Sequence, residues 1–143
     1  MRQHSIDILL VEDNPGDIRL MREAFKESGF TGRLHVVRDG EQALAFLRRE
    51  EPFVNSPRPT FILLDLNLPR KDGREVLAEI KSEKQFRQIP VFVLSTSTAC
   101  EDISKAYDLH ANCYIPKPID LERLVLISQR MEAFWLHTAA LPL

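Results

Sequence analysis

Cysteine is scarce in this chain: only Cys100 and Cys113 occur among 143 residues. They lie too far apart for a CxxC motif, so free thiols in a reducing compartment are expected rather than a disulfide. Long hydrophobic runs are missing as well. The first apolar stretch, Ile8 to Val11, is fenced by Asp7 and Glu12. It is far too short for a signal-peptide core or a membrane span. Neither sign of charge is in excess, because 19 Lys+Arg stand against 21 Asp+Glu. That balance, with pI near 6.1, leaves no electrostatic footprint for nucleic acid and no basic face for a membrane surface. The histidines His4, His35, His110 and His137 show no metal-ligand spacing and read as surface or packing residues. A cytoplasmic protein without internal repeats or low-complexity segments is expected.

What is present suits one domain. Hydrophobic residues make up 44% of the sequence, and a chain of this mass buries about two thirds of its extended surface. Short apolar runs occur at Ile6–Val11, Leu34–Val37, Thr60–Leu64, Pro90–Leu94 and Asn112–Ile115. Phe61-Ile62-Leu63-Leu64 and Val91-Phe92-Val93-Leu94 are apolar at successive positions, as strands covered on both faces are. Between the runs lie helical stripes: Ile18, Met21 and Phe25; Ala43, Leu44 and Leu47; Val76, Leu77 and Ile80; and Leu121, Leu124, Val125, Ser128 and Met131. Asn14 before Pro15 suits a helix start. Asp39 with Gln42, Asp72 with Glu75, and Thr98 with Glu101 have capping-box spacing, and Gly29 suits a helix end. The order is strand then helix, five times over, which predicts a doubly wound α/β sheet with right-handed crossovers. The proline-rich segment 50–59 reads as a loop, not a domain linker.

Ligands of open α/β sheets bind outside the carboxyl ends of the strands. Glu12 and Asp13 follow the first strand and Asp65 closes the third. If those strands are neighbours, three carboxylates converge. Two such charges about 4 Å apart repel by roughly 4 kcal/mol at an effective dielectric of 20. A cation or a proton must then compensate, and all-oxygen ligands favour Mg²⁺ or Mn²⁺ over zinc. Asp65 has no packing reason to end a wholly apolar strand. Ser95-Thr96-Ser97 after the fourth strand offers hydroxyls, and Lys117 after the fifth offers a point charge suited to a phosphoryl oxygen. The joint pattern of acid pair, acid, hydroxyl and lysine is far more specific than any member.

Val11-Glu12-Asp13-Asn14, the segment 65–73 (DLNLPRKDG), Ser95, and Tyr114 with Lys117-Pro118 closely resemble the receiver domain of two-component response regulators, the CheY-like family. The resemblance covers about residues 5–133, leaving 134–143 as a C-terminal extension of a single domain spanning 1–143, with no output domain. Within the family, residues 55–59, 65–81 and 108–114 and the Phe134-Trp135-Leu136 tail look most like the small regulators that partner phytochrome kinases of cyanobacteria and other bacteria. The resemblance implies a flavodoxin-like (βα)5 fold with five parallel strands in the order 2-1-3-4-5. It implies that Asp65 is the phosphoacceptor, and that Glu12, Asp13, Asp65 and the backbone carbonyl of Asn67 bind Mg²⁺ or Mn²⁺. Lys117 would contact the phosphoryl group, Ser95 would sense it, Tyr114 would be an aromatic switch, and the Lys117–Pro118 peptide would be cis. Two residues depart from the pattern. Thr96 stands where a small residue is usual and could narrow the site, and Pro116, just past the fifth strand, removes an N–H from the loop that carries Lys117.

Such a protein is a signalling phosphoacceptor rather than an enzyme. Its expected partners are a histidine kinase, a downstream protein, and a second copy of itself. Phe134, Trp135 and Leu136 are too apolar for a free tail and suggest a homodimer through the last helix and its extension, the alternative being that the tail folds back on its own domain. Two other readings compete. An Asp-nucleophile phosphohydrolase would carry its nucleophile after the first strand with a second Asp two residues on, whereas Asn67 holds that place after Asp65. A phosphorylation-independent interaction module would have no need for Asp13, Asp65 and Lys117 together.

Overall fold

Strands apolar at every position need helices on both faces, and the computed structural model of the chain supplies them. It describes residues 6–117 and 120–142. The elements are β1 (Asp7–Val11), α1 (Pro15–Glu27), β2 (Arg33–Val37), α2 (Gly40–Arg48), β3 (Phe61–Asp65), α3 (Gly73–Ser82), β4 (Val91–Ser95), α4 (Cys100–Asp108), β5 (Cys113–Pro116), α5 (Leu121–Met131) and a π-helical turn at Glu132–Leu136. All strand pairings are parallel, and the sheet runs β2-β1-β3-β4-β5. The fold is the one expected, with strand boundaries displaced by a residue.

Alternation along the strands sorts the core onto two faces. Leu9, Val11, Ile62, Leu64, Val91 and Val93 pack with residues of α2 and α3 and with Ala106 of α4. Ile8, Leu10, Phe61, Leu63, Phe92 and Leu94 face the other way, against Met21, Ala24 and Phe25 of α1 and Leu124 and Met131 of α5. Among the described residues no helix is long and apolar enough to cross a membrane. Cys100 and Cys113 are free thiols.

Local chemistry explains most of the helix ends. Asn14 accepts from the Asp17 N–H with Pro15 at the first helical position, and Asp39 and Asp72 accept from the Gln42 and Arg74 N–H groups. Gly29 follows the end of α1 at φ +78°, in the left-handed region. The cap expected from Thr98 is absent. Ala99 is the N-cap of α4 and makes no side-chain cap bond. Ser97 takes the part instead: its Oγ accepts from the Ala99 N–H and donates to Asp102 at 2.5 Å.

The apolar tail divides. Trp135 lies edge-on to Phe61 and Phe92, with ring centroids 6.0 and 5.6 Å away, and Leu136 packs with the same cluster. Phe134 is 56% exposed. Trp135 and Leu136 therefore fold back onto their own sheet, and only Phe134 of the three is presented to solvent. Pro116 is the last residue of β5 rather than the first beyond it. There its missing N–H costs no ladder bond, because the following Lys117 N–H donates to the Ser95 carbonyl at 2.6 Å.

Candidate functional site

Register alone brings the acids together. Val11 of β1 is paired with Leu64 of β3, so one step further Glu12 stands beside Asp65 at the carboxyl edge. Each of Glu12, Asp13 and Asp65 places a carboxylate oxygen within 4.8 Å of the others. Glu12 and Asp65 are buried, at 1% and 5% exposure, while Asp13 is exposed. Glu12 Oε1 accepts from the Asn14 N–H at 3.2 Å, and Asp65 Oδ1 accepts from the Asn67 N–H at 3.1 Å. The second contact bends the chain directly after β3 and sets Asn67 at the rim.

Gly73 is part of the same construction. A Cβ there would come within 2.4 Å of the Asp65 carbonyl oxygen and 2.5 Å of Leu66 Cα. Only glycine lets the start of α3 lie this close to the strand end that carries Asp65.

Lys117 reaches into the cluster from the end of β5. Its Nζ donates to Glu12 Oε2 at 2.7 Å and to Asp17 Oδ2 at 2.9 Å, and stands 3.6 Å from Asp65 Oδ2. Burial opposes the ammonium charge, but the bonds to Glu12 and Asp17 and the attraction of Glu12 and Asp65 outweigh it, holding Lys117 above the usual lysine range. Burial also dominates at Glu12, where with neighbouring Asp65 it overcomes the Lys117 hydrogen bond and lifts the carboxyl to about 7. The raised Lys117 and the part of the Glu12 rise that comes from Asp65 both report a deficit of positive charge at the site. A set of charged oxygen donors around such a deficit fits a hard divalent cation such as Mg²⁺ or Mn²⁺.

The hydroxyl side of the site is equally ordered. Ser95, 1% exposed, ends β4 and accepts from the Ser97 N–H at 3.2 Å. Tyr114 is buried in β5 and donates its hydroxyl to the Ser97 carbonyl at 2.8 Å. Ser95 and Tyr114 thus both grip Ser97, one at its N–H and the other at its carbonyl. Thr96, between Ser95 and Ser97, is exposed and borders a cavity of about 190 Å³ that Glu12, Asp17 and Lys117 also line. The expected cis peptide at Lys117–Pro118 involves Pro118, which lies outside the described residues.

The sequence reading missed Asp17. It carries an ordinary signal, an acid in the first turn of a helix, which is explained by the helix dipole without any further role. Only the fold reveals that this turn overhangs the end of β5, 100 residues away in the chain.

Comparison with known proteins agrees with this geometry. The model of the response regulator receiver domain matches residues 8–129. The chain is 51% identical over 135 residues to the response regulator Rcp1 of Synechocystis sp., covering 94% of this chain and 92% of that protein. It is 46% identical to the probable methanogenesis regulatory protein FilR2 of Methanothrix harundinacea, over 90% of this chain and 83% of that one. Among solved structures, the phosphorylated cyanobacterial phytochrome response regulator RcpA superposes with a TM-score of 0.89 at 54% identity, covering 98% of this chain and 100% of that one. The Mn²⁺-bound form of Rcp1 gives 0.86 at 50%, covering 96% and 99%.

Proposed function

The chain belongs to the response regulator receiver domain family, and from that premise we propose that it works as a phosphorylation switch in the cytoplasm. A sensor histidine kinase hands a phosphoryl group to Asp65, and the signal leaves through protein–protein contact. The observation that carries this reading is the meeting of Glu12, Asp13 and Asp65 within 4.8 Å, with the Lys117 ammonium 3.6 Å from Asp65.

An Asp65 carboxylate oxygen attacks the phosphorus of a phosphohistidine. A P–O bond forms as the P–N bond breaks, the electron pair stays on the imidazole nitrogen, and an aspartyl acyl phosphate results. Phosphoryl transfer asks mainly for positioning and charge neutralisation. Glu12, Asp13, Asp65 and the Asn67 carbonyl would hold Mg²⁺ or Mn²⁺, which would supply neutralising charge there. Lys117 supplies the remaining positive charge. The Ser95 hydroxyl turns its hydrogen toward the new phosphoryl group, and the 95–97 turn moves with it. Because Tyr114 is bonded to the Ser97 carbonyl, that movement reaches β5 and the surface beside it.

The partner kinase is a phytochrome, a reading supported by the likeness to RcpA, whose name gives it as a phytochrome response regulator. The test is a phosphotransfer profile against candidate kinases in Mg²⁺, a phytochrome among them, with Asp65→Asn as control. Rapid label from the phytochrome that is lost in Asp65→Asn is expected. Full label on Asp65→Asn defeats the site, and preferential transfer from an unrelated kinase defeats the partner.

A further inference from the structure

We propose that Asp17 is a positioning residue that withholds Lys117 from Asp65 and so slows the charging of the phosphoacceptor. This rests on Asp65 being that phosphoacceptor.

An ammonium has three N–H donors. Lys117 gives one to Glu12 at 2.7 Å and one to Asp17 at 2.9 Å, whereas Asp65, at 3.6 Å, is near enough for attraction but beyond a hydrogen bond. The two anchors differ in what can loosen them. Glu12 is one of the three acids converging on the candidate metal position, and Asp17 is not. A cation at that position therefore competes for Glu12 and leaves Asp17 as the carboxylate that still holds the ammonium back.

Asp17 is well placed for this. Its own N–H is fixed on the Asn14 side chain at 3.0 Å, and the next residue, Ile18, is buried against the core. Its side chain is 43% exposed against 2% for Glu12. Water competes for the Asp17 contact, so it can release when a dianionic phosphoryl group arrives, and the cavity of about 190 Å³ beside Thr96 gives the lysine room to move. The effect runs through the lysine: Asp17 occupies an N–H donor of Lys117 that the arriving phosphoryl group needs.

The experiment is a double-mutant cycle on the full chain in Mg²⁺, with acetyl phosphate as donor. Asp17→Asn and Asp17→Ser are each expected to be labelled about threefold faster than wild type, with fivefold the upper end for a half-exposed ion pair. Asp17→Glu, which restores the carboxylate, stays near wild type. In a Lys117→Ala background the Asp17 substitutions change nothing, because the effect runs through the lysine. The same cycle read on binding of beryllofluoride, a stable phosphoryl mimic, needs no turnover and shows the same pattern. No acceleration, a slower Asp17→Asn, or an equal factor without Lys117 overturns the proposal. Full labelling of Asp65→Asn overturns it together with the function on which it rests. Label confined to Asp65 with unchanged Asp17 variants overturns it alone.

Discussion

Lys81 shows how one half-buried charge can act without any acid beside it. Its ammonium donates to the Arg87 and Ile89 carbonyls at 3.0 and 2.8 Å and to Asn112 Oδ1 at 3.0 Å, and Asn112 Oδ1 also accepts from the Val91 N–H. One side chain thus ties the end of α3 to the starts of β4 and β5. All three acceptors are neutral, and burial pushes the Lys81 pKa down to about 8 from 10.5. Below pH 8 folded and unfolded chains both bind the proton, and the full burial cost is present. Between pH 8 and 10.5 the unfolded chain binds more protons than the folded one, so this group makes stability rise with pH across that window. Denaturant titrations of wild type and Lys81→Met at pH 7.5 and 10 should show the wild type gaining about 1 kcal/mol relative to the variant, a value reduced for solvent contact. An unchanged difference between the two proteins would mean that Lys81 keeps its proton throughout. At pH 7.5 the variant should itself be weaker by about 1–3 kcal/mol, because the Arg87 and Ile89 carbonyls lose the Lys81 donor and Asn112 Oδ1 keeps only the Val91 N–H.

Elements were legible in the sequence to the extent that their signals are local. β3 and β4 announce themselves by apolar residues at every position, which only a strand covered on both faces requires. α1 is marked by Asn14, Pro15 and Gly29 within its own span. The α4 start was misplaced because Thr98 has the right spacing to Glu101, while Ser97 and Asp102 compete for the same role and prevail. The tail was harder still. Phe134, Trp135 and Leu136 read as one apolar patch, and nothing nearby in sequence tells that Phe61 and Phe92, brought together by the sheet, make a seat for Trp135. The division has a consequence for self-association. The exposed Phe134 ring and the exposed Leu126 of α5 are what remains for a homodimer on this face. Phe134→Ala should therefore convert a sedimenting dimer to monomer while changing stability by no more than about 0.5 kcal/mol. Trp135→Ala should cost about 2 kcal/mol, below the range for fully buried tryptophan because the ring is only partly covered. A wild-type monomer, or a dimer that survives Phe134→Ala, removes α5 and its π-helical turn from the interface.

For the whole molecule, the important fact is an imbalance kept at one end of an otherwise neutral chain. The core is closed and apolar on both faces of the sheet, and among the described residues no buried side-chain nitrogen or oxygen lacks a hydrogen-bond partner. At the carboxyl edge, by contrast, Glu12, Asp17 and Asp65 surround Lys117, and Asp13 brings a further carboxylate within 4.8 Å of those of Glu12 and Asp65. The residue types there were readable in sequence, since strand ends carry ligands in this class of fold. The sharing of Lys117 with Asp17 was not, because it joins residues 100 positions apart that only the fold brings together. Repulsion within the cluster is a standing cost of the metal-free state, relieved by any cation that binds the folded chain alone. Mg²⁺ should accordingly raise the melting temperature, with about 2.7 kcal/mol gained at a hundredfold excess over its dissociation constant. Asp13→Asn separates the two terms because Asp13 is exposed and carries no core packing. Without Mg²⁺ the variant should melt at or above the wild-type temperature, having lost a repelling charge. With Mg²⁺ it should gain far less, since a ligand has gone. Calorimetry of both proteins with and without the ion, and again after chelation, reads this directly. An equal Mg²⁺-dependent rise in wild type and Asp13→Asn would place the cation elsewhere on the molecule.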